Sequence, residues 1–144
     1  MCTSTHSTPV LPFPVSLTSG DSPFRQVVFA ATRAVVSGDL PAGESFPSVR
    51  ELSQALKINP NTAHKVVAEL VRIGLLEVLP GVGTVVSTAW RAGDHERRAL
   101  LDDEIERLVV EARRLGLSHA EVTSAIDRWW TTLFGATEPP APRP

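Results

Sequence analysis

A chain of 144 residues has room for one ordinary domain or a small domain with an appendage, and its 42% apolar content includes no run long enough to span a bilayer. Fourteen Lys and Arg against sixteen Asp and Glu leave it close to neutral, which is not the composition of a strongly basic nucleic-acid binder. A single cysteine, Cys2, excludes an internal disulfide and fits a reducing, cytoplasmic setting.

The opening stretch, "MCTSTHSTPVLPFPVSLTSG", carries no Lys or Arg and is broken by prolines, so it lacks the charged start and apolar core of an export signal. Residues 1–12 and the closing "ATEPPAPRP" (136–144) read as loose tails. Between them the spacing predicts five helical segments and one hairpin. The first helix opens at Ser22-Pro23, a cap residue followed by proline at the first helical position. Phe24, Val27, Val28, Ala31 and Val35 then recur at helical spacing, and Gly38 ends it. "GDLPAGESFP" is rich in turn residues. Ser48 and Glu51, three apart, form a capping box that opens "SVRELSQAL", with Val49, Leu52 and Leu56 inward.

Only Lys57-Ile58-Asn59 separates this helix from the next. There Asn59 is the cap, Pro60 takes the first helical position, and Ala63, Val66, Val67 and Leu70 line one face up to Gly74. "LLEVLPGVGTVVS" reads as two short strands around a Pro-Gly-Val-Gly turn. Helix, short helix, three-residue turn, helix and hairpin is the order of a winged helix-turn-helix. The expected fold is therefore mainly α with a small β-hairpin wing, residues 13–88 forming a DNA-binding domain.

Beyond it the pattern becomes that of a charged amphipathic helix. Leu101, Ile105, Leu108, Val109, Ala112 and Leu115 form a stripe that Gly116 closes. Ser118 and Glu121 make a second capping box, followed by Val122, Ala125, Ile126, Trp129, Trp130, Leu133 and Phe134. Two short helices cannot bury so many apolar side chains against each other alone, and each large one left wet forgoes about 1.5–3 kcal/mol. A second copy of the chain is the expected cover, which makes residues 89–135 a two-helix dimerisation region. Its expected seam is Leu101, Ile105, Leu108, Val109, Ala112, Val122, Ile126, Trp129, Trp130 and Leu133. Neighbouring positions on a helix point about 100° apart, so the two tryptophans should serve different faces, one packing within the dimer and the other lining a groove.

The polar quartet Asn59-Pro60-Asn61-Thr62 at the tip of an otherwise apolar-faced helix fits a recognition helix, whose first turn enters the major groove while its other face packs inward. Pro60 leaves the N–H groups after it for a phosphate. Asn61 can pair with adenine, and Thr62 can touch a thymine methyl or a phosphate. His64 and Lys65 lie outward, Lys65 suited to a phosphate. An isolated polar tip is more often only a cap; the three-residue turn and the hairpin tip the balance toward recognition.

Residues 22–88 resemble the winged helix of the GntR family of bacterial transcription regulators. The family's L-P-S-V-R-E-L-A signature appears as "FPSVRELS", the N-P-N-T turn is intact, and the closing G-x-G-T is Gly81-Val82-Gly83-Thr84. The short tail with "EARRLGLS" resembles the YtrA subfamily. The resemblance implies a homodimeric repressor that binds double-stranded DNA at an inverted-repeat operator, commonly of a transporter operon or its own promoter. No cofactor, metal or membrane is expected. The resemblance carries DNA contacts onto Arg50, Asn59, Asn61, Thr62, His64, Lys65, Gly81, Gly83 and Thr84. The tail is too short for the larger effector domains of other subfamilies, so any small-molecule effector must act at the tail or the dimer seam. One departure stands out: the family's wing usually carries Lys or Arg before its first glycine, where this chain has Leu79-Pro80. With six basic and six acidic residues in 21–88, the head is neutral. A winged-helix protein-interaction module that has lost DNA affinity is therefore the alternative.

Other constellations fall away. Gly81-Val82-Gly83 has no third glycine or following helix to make a dinucleotide site. His6, His64, His95 and His119 show no metal-ligand spacing. Asp102, Asp103, Glu104 and Glu106 read as a solvated acidic face rather than paired catalytic carboxylates. No enzyme is expected.

Overall fold

A computed structural model describes residues 11–88 and 93–135. Cys2, His6 and almost all of both expected tails lie outside the described residues. The chain divides into two compact units, Met1–Arg91 and Ala92–Pro144.

In the first unit, helix α1 (Pro23–Ser37) buries Val27, Ala31, Ala34 and Val35. Ser22 stands at the N-cap as expected, but its side chain makes no capping bond. The Gln26 side-chain amide instead holds the preceding loop, donating to the carbonyls of Thr18 (3.0 Å) and Asp21 (3.1 Å) and accepting from the Thr18 N–H (2.8 Å). Upstream, Phe13 is buried and stacks on Phe46 at 5.7 Å, and Leu11 is partly buried against the same core.

Helix α2 (Val49–Leu56) starts with the full capping box: the Ser48 hydroxyl accepts the Glu51 N–H at 3.1 Å, and the Glu51 carboxylate accepts the Ser48 N–H at 3.0 Å. Helix α3 (Pro60–Arg72) packs against both α1 and α2, through buried Ala63, Val66 and Leu70. It ends at Gly74, whose left-handed conformation (φ 82°) lets two N–H groups turn back. Gly74 donates to the Val71 carbonyl and Leu75 to that of Leu70, both at 3.0 Å, satisfying carbonyls that the helix end would orphan.

Strands β1 (Leu76–Leu79) and β2 (Gly83–Val86) pair antiparallel, from Leu76 opposite Val86 to Leu79 opposite Gly83. The turn is one residue shorter than expected, since Gly83 joins the ladder. A larger difference lies in the passage read as turns alone. Ser45 bridges Val85, the Phe46 N–H donates to Thr84, and the Val86 N–H donates to Glu44, both at 2.8 Å. The wing therefore has a third, short extended edge. Its pairing partner is remote in sequence, and the flanking Pro41, Gly43 and Pro47 mask it.

In the second unit a helical run leads from α4 (Asp94–Arg98) through a π-helical stretch (Ala99–Glu104) into α5 (Ile105–Arg114). The π stretch corrects the expected stripe: the Ile105 N–H donates to the Leu100 carbonyl, five residues back, so Leu100 takes the place one turn before Ile105 that regular spacing assigns to Leu101. After α5, Gly116 (φ 77°) turns the chain as Gly74 does, with N–H bonds from Gly116 to Arg113 and from Leu117 to Ala112. Helix α6 (His119–Phe134) then opens on the second capping box, Ser118 and Glu121, with bonds of 2.7 and 3.2 Å. Among the described residues no helix is long and apolar enough to cross a membrane.

Candidate nucleic-acid interface

Helix α3 separates its residues into two faces. Ala63 and Val66 have no exposed surface and Leu70 almost none, whereas Asn61, His64, Lys65 and Ala68 are exposed at the spacing of a single outward stripe. Thr62, on the boundary, is half-buried. The tip is fixed by Asn59, whose Oδ1 accepts the Asn61 N–H at 2.8 Å and whose carbonyl accepts the Ala63 N–H at 3.0 Å. These bonds revise one expectation. The N–H groups of Asn61 and Ala63 are already taken, so this turn presents side chains rather than a row of open donors.

The charges on α3 are unequal in availability. Arg72, at the far end, donates two hydrogen bonds to Glu69, and this guanidinium holds the Glu69 carboxyl below its ordinary range. Lys65, near the tip, is exposed and forms no ion pair of that kind among the described residues. Arg50 is exposed in the first turn of α2, beside the two residues of its capping box, on a helix that packs directly on α3. Arg50, Asn61 and Lys65 thus belong to two adjoining helix starts.

On the wing, Gly81 (φ 77°) and Gly83 (φ 111°) flank Val82, and Thr84 is half-buried opposite Val78. Val78 and Val82 are 63% and 67% exposed, Leu79 39%. The hairpin's one charged side chain is Glu77. The wing tip is therefore not merely uncharged but apolar, a feature the sequence reading missed because it weighed only the absent cation. Among the described residues no group of His, Cys, Asp and Glu is placed to hold a metal.

In the second unit, Leu108 on α5, Leu115 at its C-cap, and Ile126, Trp129 and Trp130 on α6 border an apolar groove of about 550 Å³. Trp130 meets the ring of Phe134 edge-on at 5.4 Å. Both tryptophans border this one groove, against the expectation that they serve different faces, because two long side chains about 100° apart on one helix can both reach the edge of a wide hollow. Leu101, Ile105, Leu108, Val109, Ile126, Trp129 and Trp130 are exposed, and Val122 and Leu133 are half-buried. Ala112 differs from the rest of the expected seam: it is buried within the unit, where its carbonyl takes the Leu117 N–H.

Three packed helices, a hairpin wing and an α3 tip with polar side chains outward define a winged helix-turn-helix protein of the DNA-binding kind. The model of the bacterial regulatory proteins, gntR family, matches residues 25–86. The chain is 32% identical over 92 residues to the uncharacterized HTH-type transcriptional regulator YhcF of Bacillus subtilis (strain 168), covering 64% of this chain and 76% of YhcF. It is 30% identical over 95 residues to the HTH-type transcriptional repressor YtrA of the same organism, covering 65% of this chain and 73% of YtrA. Among solved structures, a transcriptional antiterminator from Listeria monocytogenes EGD-e shares the fold with a TM-score of 0.74 and 23% identity, over 90% of this chain and 97% of that one. The chain belongs to the GntR family and is a YtrA-like DNA-binding transcriptional regulator, not an enzyme.

Proposed function

We propose that the chain is a cytoplasmic homodimeric repressor that binds an inverted-repeat operator and acts by occluding a promoter. The observation that carries the reading is the division of α3, with Asn61, His64 and Lys65 outward and Ala63, Val66 and Leu70 packed away. In this reading Asn61 reads a base edge, Thr62 touches a thymine methyl or a phosphate, and Arg50 and Lys65 hold backbone phosphates. Asn59 fixes the tip and faces the same groove, His64 lies beside it, and Gly81, Gly83 and Thr84 bring the wing backbone close. Residues 13–88 serve as the DNA-binding domain and 89–135 as the dimerisation region, where the apolar groove and its exposed rim support cover by a second copy. The name of the Bacillus YtrA, a repressor, supports the sign of regulation. A transporter operon or the chain's own promoter is the proposed target, and any small-molecule effector acts at the tail or the dimer seam.

The exposed apolar wing tip, Val78, Leu79 and Val82, favours a second reading, a protein-interaction module without DNA affinity. A gel shift with the DNA upstream of the chain's own gene, at two salt concentrations, separates them. A specific band that weakens with salt is expected; no band at low salt, or equal binding to a scrambled duplex, sinks the operator-binding reading.

A further inference from the structure

Among the described residues, four helices end on a residue in the left-handed conformation: Gly38 after α1 (φ 89°), Lys57 after α2 (φ 53°), Gly74 after α3 (φ 82°) and Gly116 after α5 (φ 77°). Lys57 is the one positive-φ residue among the described residues that is not glycine. A side chain in that conformation crowds its own carbonyl, a penalty that glycine escapes.

Nothing within the described fold calls for a lysine there. The turn is held by Ser53, whose carbonyl accepts the N–H groups of Lys57 and of Ile58 (3.2 Å), and whose hydroxyl donates to the Ile58 carbonyl at 2.8 Å. Ile58 anchors the turn against the core. The Lys57 side chain is exposed, and the three ion pairs of the described residues are all made by arginines. A strained residue that its surroundings hold in place, and whose side chain makes no hydrogen bond or ion pair among the described residues, points to a use outside the fold.

Its charge and position suggest that use. The wing supplies no cation, and Arg72 is paired with Glu69. Lys57 follows Arg50 by two helical turns, so the two cations stand at opposite ends of α2, roughly 10 Å apart along its axis. That span is comparable with the major groove's width of about 12 Å.

We propose that Lys57 is a phosphate-binding residue. With Arg50 at the other end of α2 it grips the DNA backbone at both lips of the groove that α3 enters, taking over the cation absent from the wing. This rests on the DNA-binding reading above.

Phosphate contacts are blind to sequence, so the full chain can be titrated with a fluorescently labelled random-sequence duplex of about 30 base pairs over a salt series. Lys57→Gly and Lys57→Asn both accept the left-handed backbone and remove the charge. Each should weaken binding about eightfold per engaged head at about 0.1 M salt and flatten the log–log salt slope by about 0.9 per head, the effect of one lost phosphate contact. Lys57→Arg should keep both affinity and slope. Unchanged affinity and slope in the Gly and Asn variants overturns the proposal while leaving DNA binding intact. So does a loss in Lys57→Gly that Lys57→Asn does not share, since that reports a loosened turn. A wild-type chain that binds no duplex at any salt removes both the DNA-binding reading and this one.

Discussion

Asn61 and Lys65 sit four residues apart on the outward face of α3, yet their chemistry predicts different failures. An asparagine amide pairs with one base, so Asn61→Ala should relax preference at a single operator position by about 1–3 kcal/mol, read from binding to a panel of point-substituted operators. Lys65 offers a point charge, so Lys65→Ala should weaken every sequence alike. A sequence-selective loss in Lys65→Ala would mean that the two roles are exchanged. Neither change should alter folding by more than about 0.5 kcal/mol, because both side chains are exposed. Leu52 is the opposite case. It has no exposed surface, and Leu52→Ala should cost about 2–5 kcal/mol in chemical denaturation.

The elements are set by their ends as much as by their faces. Both predicted capping boxes form, so α2 and α6 each begin with reciprocal bonds between a serine and a glutamate three residues on. In the second box, the Ser118 N–H and then the Ser118 hydroxyl hold the Glu121 carboxyl below its ordinary range. A carboxyl with a lowered folded value contributes stability fully present above its ordinary range and lost as the pH falls through the lowered one. Glutamine can complete the same box without titrating. Melting followed by α6 helicity between about pH 5 and pH 3 should therefore fall less steeply in Glu121→Gln than in the wild type. Equal acid slopes would show that the box adds no stability of its own.

At the scale of the whole molecule, a neutral head and an apolar tail complement each other. In the proposed dimer a neutral head limits what each winged helix gains from counterion release, so tight operator binding is expected to depend on engaging two heads together. The second unit has one buried side chain among its described residues, Ala112, while large apolar groups line its groove. Ile126→Glu, on the groove's rim, should shift the chain toward monomer in sedimentation velocity. It should also cost about a hundredfold or more in affinity for the inverted repeat, with binding to a single half-site unchanged. A variant that stays dimeric would place the seam elsewhere.

What the amino-acid sequence by itself determined is local: the apolar period of α1, the two capping boxes, the glycines closing α3 and α5, the hairpin, and the polar outward and apolar inward faces of α3. Each follows from residues within about one or two helical turns or across one tight turn, so neighbouring side chains suffice to specify it. The tertiary structure alone decided what depends on distant partners or on a choice between near-equal local states. Ser45 finds Val85 only when the wing folds back, and Phe13 finds Phe46 only across the finished core. The π-helical stretch replaces Leu101 by Leu100 one turn before Ile105 through hydrogen bonds that reach five residues back instead of four, a shift that leaves no periodic trace. Lys57 enters the left-handed region because Ser53 and Ile58 pin the turn around it, whatever the residue's own preference. Propensity and spacing act along the chain, whereas these outcomes are imposed across it.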